Sequence, residues 1–120
     1  MLLDRDSAAT AWFEKIDGPG VRASWPQLAF VEIANALRTG VRARKATRTL
    51  AREALARALR WPIEAVSLLE LAPAALDVSL DRALTPYDAC YVVLAELRGA
   101  TLVTADRRLS AATPNAVLLD

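Results

Sequence analysis

The chain predicts an α/β fold, with a mostly parallel sheet covered on both faces by helices to make three layers, α/β/α. Two observations lead there. Short apolar stretches of strand length alternate with longer segments of helical periodicity, the pattern of parallel strands joined by helical crossovers. The segment from Thr85 to Leu109, TPYDACYVVLAELRGATLVTADRRL, shows one such unit complete: helix, tight turn, buried strand, acidic residue. With 120 residues, 54% of them apolar, and no repeat, low-complexity tract or linker, residues 1–120 read as a single domain.

Met1-Leu2-Leu3 predicts a first strand ending at Asp4, followed by a helix from about Ser7 to Ile16. Asp6 or Ser7 caps that helix, and Trp12 and Phe13 supply its apolar bulk. Asp17-Gly18-Pro19-Gly20 breaks the chain, and Val21–Ser24 is a short second strand. Pro26 opens the next helix, PQLAFVEIANALRTG, which stops at Gly40. Leu28, Phe30, Val31, Ile33, Ala34 and Leu37 make it apolar around nearly its whole circumference. A basic helix follows from Ala43 to Trp61, with Leu50, Ala54, Leu55, Ala58 and Leu59 as its apolar stripe. Glu64–Leu68 is the third strand. Glu70–Arg82 is a helix whose start is marked by Pro73 and whose stripe is Leu71, Ala75, Leu76 and Leu80.

In the unit from Thr85 to Leu109, Thr85 is the N-cap and Pro86 takes the first helical position. Ala89, Cys90, Val92, Val93, Leu94 and Leu97 run around most of this helix, which is therefore heavily buried. Gly99 stops it, and Thr101–Thr104 is a short apolar strand with Asp106 directly after. Ala116–Leu119 is the last strand.

Composition excludes several chemistries. Without a histidine, neither a Ser-His-Asp triad nor an imidazole zinc site can be built. The single cysteine, Cys90, has no intramolecular partner and no histidine to activate it, so a reducing, cytoplasmic setting is the simplest reading. No apolar run approaches the roughly 18 residues of a membrane span, and the opening residues lack the pattern of a signal peptide. There is no glycine-rich phosphate loop. Any metal site must be rich in oxygen, which favours Mg²⁺ or Mn²⁺.

Net charge is only +1 but is unevenly placed. Arg38, Arg42, Arg44, Lys45, Arg48, Arg52, Arg57 and Arg60 crowd one stretch whose only acid is Glu53, leaving the remainder strongly acidic. Such a division fits a polyanion-facing helix beside an acidic pocket, or equally a solvated helix face.

Four acids stand where an open α/β sheet gathers its ligands, at strand ends and helix starts. These are Asp4 after the first strand, Glu32 within an apolar helix, Asp88 at a helix start and Asp106 after a strand. Three of them have a structural alternative. Thr85 and Asp88 have capping-box spacing, Asp106 can cap the turn to Ser110, and Glu32 can reach an arginine. If the four converge, a pair roughly 4 Å apart costs about 4 kcal/mol at an effective dielectric near 20. A divalent cation relieves that repulsion and lowers the pKa of a bound water for attack on phosphorus.

MLLDRD, FVEIANALR, TPYDACYVVLAE and LVTADRRL follow in this order along almost the whole chain. In these fragments the sequence resembles the PIN-domain ribonucleases, most closely the toxin halves of VapBC toxin–antitoxin pairs. The resemblance implies a sheet of about five parallel strands between helices and a cleft of acids that binds one or two divalent ions. It implies a metal-dependent endoribonuclease that hydrolyses RNA phosphodiesters, a separately encoded antitoxin and a homodimer. In that mechanism Asp4, Asp88 and Asp106 hold the metal and Glu32 orients the attacking water or completes the surrounding shell. Thr104 can bond a carboxylate or phosphate or be a plain strand threonine, and Arg107 and Arg108 can draw in the RNA backbone or be solvated. Asp4 and Asp6 compete for the first acid, and an ungapped match back from Ala8 places Arg5 there instead. The alternative is accordingly a catalytically weakened PIN-like module that binds RNA or a protein partner.

Overall fold

Parallel ladders and one buried helix position everything else. A computed structural model describes residues 8–119. The elements run α1 (Ala8–Asp17), β1 (Ala23–Pro26), α2 (Leu28–Arg42), α3 (Arg48–Leu59), β2 (Ile63–Val66), α4 (Leu68–Arg82), α5 (Pro86–Arg98), β3 (Leu102–Thr104), α6 (Arg107–Ala111) and β4 (Ala116–Leu118). β1 pairs in parallel with β2, Ala23 opposite Ile63 and Pro26 opposite Val66. β3 pairs in parallel with β4, Leu102 opposite Ala116 and Thr104 opposite Leu118. The α/β class and the parallel pairing agree with the sequence. Among the described residues, however, these are two separate two-stranded sheets rather than one sheet of about five. The strand expected at Met1–Asp4 lies outside the described residues.

α5 is the centre of the core. Its local signals all operate: the Thr85 hydroxyl accepts from the Asp88 N–H at 3.2 Å, Pro86 stands first, and Gly99 adopts φ 58°. The Ala100 N–H then closes on the Ala95 carbonyl at 2.8 Å, satisfying an end carbonyl. Ala89, Cys90, Val93 and Leu94 pack with Val66, Leu71 and Ala75, which joins α5 to α4 and β2. Val92 and Ala95 pack with Leu102 and Leu109, which joins it to β3 and α6. Leu97, expected inside, is 57% exposed. The Arg82 guanidinium on α4 donates to Glu96 at 2.6 Å and to the Ala112 carbonyl at 3.1 Å, tying three elements at one end of α5.

Several boundaries differ from the sequence reading, each for a physical reason. Pro26 ends β1 instead of opening a helix: its ring is fully buried, and the next N–H, of Gln27, continues the ladder to the Val66 carbonyl at 2.9 Å. α2 passes through Gly40 to Arg42, and Arg44 takes the left-handed position at φ 58° while the Lys45 N–H reaches back to the Gly40 carbonyl. α3 begins only at Arg48, capped by the Thr47 hydroxyl, so the basic helix is shorter than Ala43–Trp61. α4 starts at Leu68 under a Ser67 cap, with Pro73 inside it. The proline removes one donor to the exposed Leu69 carbonyl, where water can substitute. The leucine stripes split as well. Leu71 and Ala75 are buried, but Leu76, Leu80, Leu50 and Leu59 are exposed, because α3 packs chiefly on α2 and α4 chiefly on α5.

Leu71 has no exposed surface and lies between α4, α5 and β2. Leu71→Ala is expected to cost about 2–5 kcal/mol through lost burial and the cavity left behind. A urea unfolding curve with a lowered midpoint and an unchanged slope checks it.

Candidate active site

The carboxylates named from sequence are held by different means. Asp88 occupies the third position of α5, so burial of that helix fixes where its carboxylate emerges. Only half of a capping box forms. Thr85 accepts from the Asp88 N–H, but among the described residues the Asp88 carboxylate accepts no hydrogen bond in return. That carboxylate keeps 29% of its surface exposed, and the Arg108 guanidinium, itself 75% exposed, lies 4.0 Å away.

Asp106 is used by the fold. Its Oδ1 accepts from the N–H groups of Arg108 at 2.9 Å and Leu109 at 3.3 Å, making it the N-cap of α6. The capping alternative therefore holds for one of its oxygens. Thr104 Oγ1 accepts from the Asp106 N–H at 3.1 Å, so the threonine helps shape the turn after β3. Arg107 is exposed at the first position of α6. Arg108, on that same turn, links the Asp106 corner to Asp88.

Glu32 departs most from expectation. Instead of lying among apolar groups it is exposed, because much of α2 is open to solvent, with Val31 beside it 62% exposed. No arginine reaches it among the described residues. It accepts a hydrogen bond at 2.7 Å from the Tyr91 hydroxyl, one turn beyond Asp88 on α5. Burial is the main force pushing the Tyr91 phenol well above its ordinary pKa range, followed by the bond to Glu32 and that carboxylate's negative charge. The Cys90 thiol is likewise pushed up, first by burial and then by the Glu32 charge.

Sequence reasoning missed Tyr91. The available signal was a tyrosine on an otherwise apolar buried helix, whose polar tip needs a partner. Asp4 and Asp6 lie outside the described residues. Among the described residues, no three acidic side chains stand close enough together to hold an ion. In kind, the donors are all carboxylates, and Glu32 is held by a neutral hydroxyl rather than a cation. That chemistry fits a hard divalent ion.

A family model described as PIN domain matches residues 2–113. The chain belongs to the PIN-domain family. Membership supports a nuclease-type function, hence a hydrolase, and PIN nucleases typically use divalent metals. No curated protein matches the chain. In this PIN domain no helix among the described residues is long and apolar enough to cross a membrane. The basic residues of α2, α3 and their connection, from Arg38 to Arg60, are all exposed.

Loss of the Asp106 cap in Asp106→Ala is expected to cost about 1 kcal/mol, whereas Asp106→Asn, an equally good cap, should stay within a few tenths. Urea denaturation of the two variants separates capping from charge.

Proposed function

We propose that this PIN domain is a Mg²⁺- or Mn²⁺-dependent endoribonuclease and the toxin component of a VapBC-type toxin–antitoxin pair. The observation that carries the nuclease reading is Asp88. Its carboxylate stands at the start of the most buried helix, is left free by its own cap, and precedes by three residues the tyrosine that holds Glu32. In this reading Asp4, or Asp6 in its place, would hold the ion together with Asp88 and the Asp106 oxygen not used by the α6 cap. A bound ion of this type activates water and stabilises charge developing on a phosphodiester. Glu32 orients the attacking water. Thr104, Arg107 and Arg108 position the RNA backbone, and the exposed arginines of α2 and α3 attract it in a salt-dependent way.

The reading extends to the sheet and to partners. β1 and β3 each have one unpaired edge, and between them runs a slot of about 750 Å³ lined by Ala23, Ser24, Trp25, Leu102, Val103 and Thr104. The Trp25 Nε1 is buried there with no acceptor among the described residues. A sheet of about five needs one further strand beside these pairs, and the strand expected at Met1–Asp4 lies outside the described residues. A cytoplasmic setting, an antitoxin and a homodimer belong to the toxin reading. Support for a protein contact is the exposed apolar row Leu69, Leu76 and Leu80 on α4, with Tyr87 nearby on α5.

The second reading is a catalytically weakened module that binds RNA or protein. It is favoured by the lack of three convergent acids among the described residues and by Arg108 already beside Asp88. Asp88→Asn is expected to abolish Mn²⁺-dependent RNA cleavage while leaving the urea midpoint nearly unchanged. Cleavage retained in that variant would refute the nuclease assignment. A wild-type chain showing neither cleavage nor calorimetric heat with Mn²⁺ would favour the silent module.

A further inference from the structure

We propose that Tyr91 is a positioning residue, whose hydroxyl holds one carboxylate oxygen of Glu32 against α5, the helix that carries Asp88. This rests on the nuclease reading and deepens it. Tyr91 follows Asp88 by three residues on α5, a spacing that puts the two side chains on neighbouring parts of one helix face. Its ring does not swing freely, because it packs against the cluster of Val92, Ala95, Leu102 and Leu109. From that anchor the hydroxyl reaches across to α2 and donates to Glu32 Oε1 at 2.7 Å. Among the described residues no other hydrogen bond joins α2 to α5. Glu32 itself has little packing to restrain it, since it is exposed on a helix open to solvent.

The chemistry of the donor decides the role. A lysine or arginine on Glu32 would fix the carboxylate but neutralise the charge that attracts a divalent ion. A neutral phenol fixes one oxygen, leaves the negative charge intact and keeps the second oxygen available. Such outer partners orient the groups around a metal, and removing one typically weakens metal affinity or activity by about 10–100-fold.

The test is Tyr91→Phe in the full chain, which deletes the hydroxyl and keeps the ring. Calorimetric titration with Mn²⁺ in the absence of RNA should show affinity weaker by about tenfold or more. On RNA, kcat should fall with KM little changed. Combined with Glu32→Ala, the two losses should fail to add, because each removes one partner of the same contact. Unchanged Mn²⁺ affinity and kcat in Tyr91→Phe, with or without a stability change, would overturn the proposal while leaving the nuclease reading intact. Fully additive losses would overturn it too. An unfolded Tyr91→Phe chain would make the hydroxyl a determinant of the fold and not of the site. A wild-type chain that neither binds Mn²⁺ nor cleaves RNA sinks the nuclease reading and this inference together.

Discussion

Burial of α5 on almost every side is the constraint from which the rest of the structure follows. Its residues from Ala89 to Ala95 touch β2 and α4 on one flank and β3 and α6 on the other. A helix enclosed in this way cannot rotate or slide by a residue without opening a cavity or burying a polar group. Its first turn, capped by Thr85 and opened by Pro86, is therefore fixed relative to both strand pairs. Asp88 and Tyr91 inherit that rigidity. A site built on such an element is more firmly placed than one carried by a loop.

The acids around this helix are held by unlike means. Asp106 gives one oxygen to backbone amides, Glu32 to a phenol, and Asp88 has only a solvent-exposed arginine at 4.0 Å. Two of these arrangements preserve negative charge entirely, and the third offsets it weakly, since an exposed pair at that separation gains little in water. Apart from these acids, the cations of the α2–α3 hairpin from Arg38 to Arg60 all face solvent. Exposed positive charge of this kind suits the approach of a polyanion, in keeping with a nuclease-type function. PIN-family membership and this distribution of charge point the same way.

Charge and packing also divide α4. One face, Leu71 and Ala75, is sealed against α5, and the other leaves Leu69 88% and Leu80 74% exposed. Exposed apolar side chains at helical spacing are more than scattered surface hydrophobics.

Much of this molecule was readable from the chain alone. The four described strands, α5 with its cap, opening proline and terminal glycine, and the capping role of Asp106 all follow from preferences that act within a few residues. Local signals also misled where longer-range contacts outweighed them: Pro26 serves a ladder, Gly40 is carried through inside α2, and Pro73 is tolerated on an open face of α4. Glu32 was named from sequence, but its exposure and its partner were not. α2 is apolar around most of its circumference, so periodicity gives no direction for its inner face. The Tyr91–Glu32 bond spans 59 residues. Caps, turns and strand propensity depend on near neighbours, whereas the outward side of a helix and the partner of a half-buried tyrosine depend on what distant segments bring beside them.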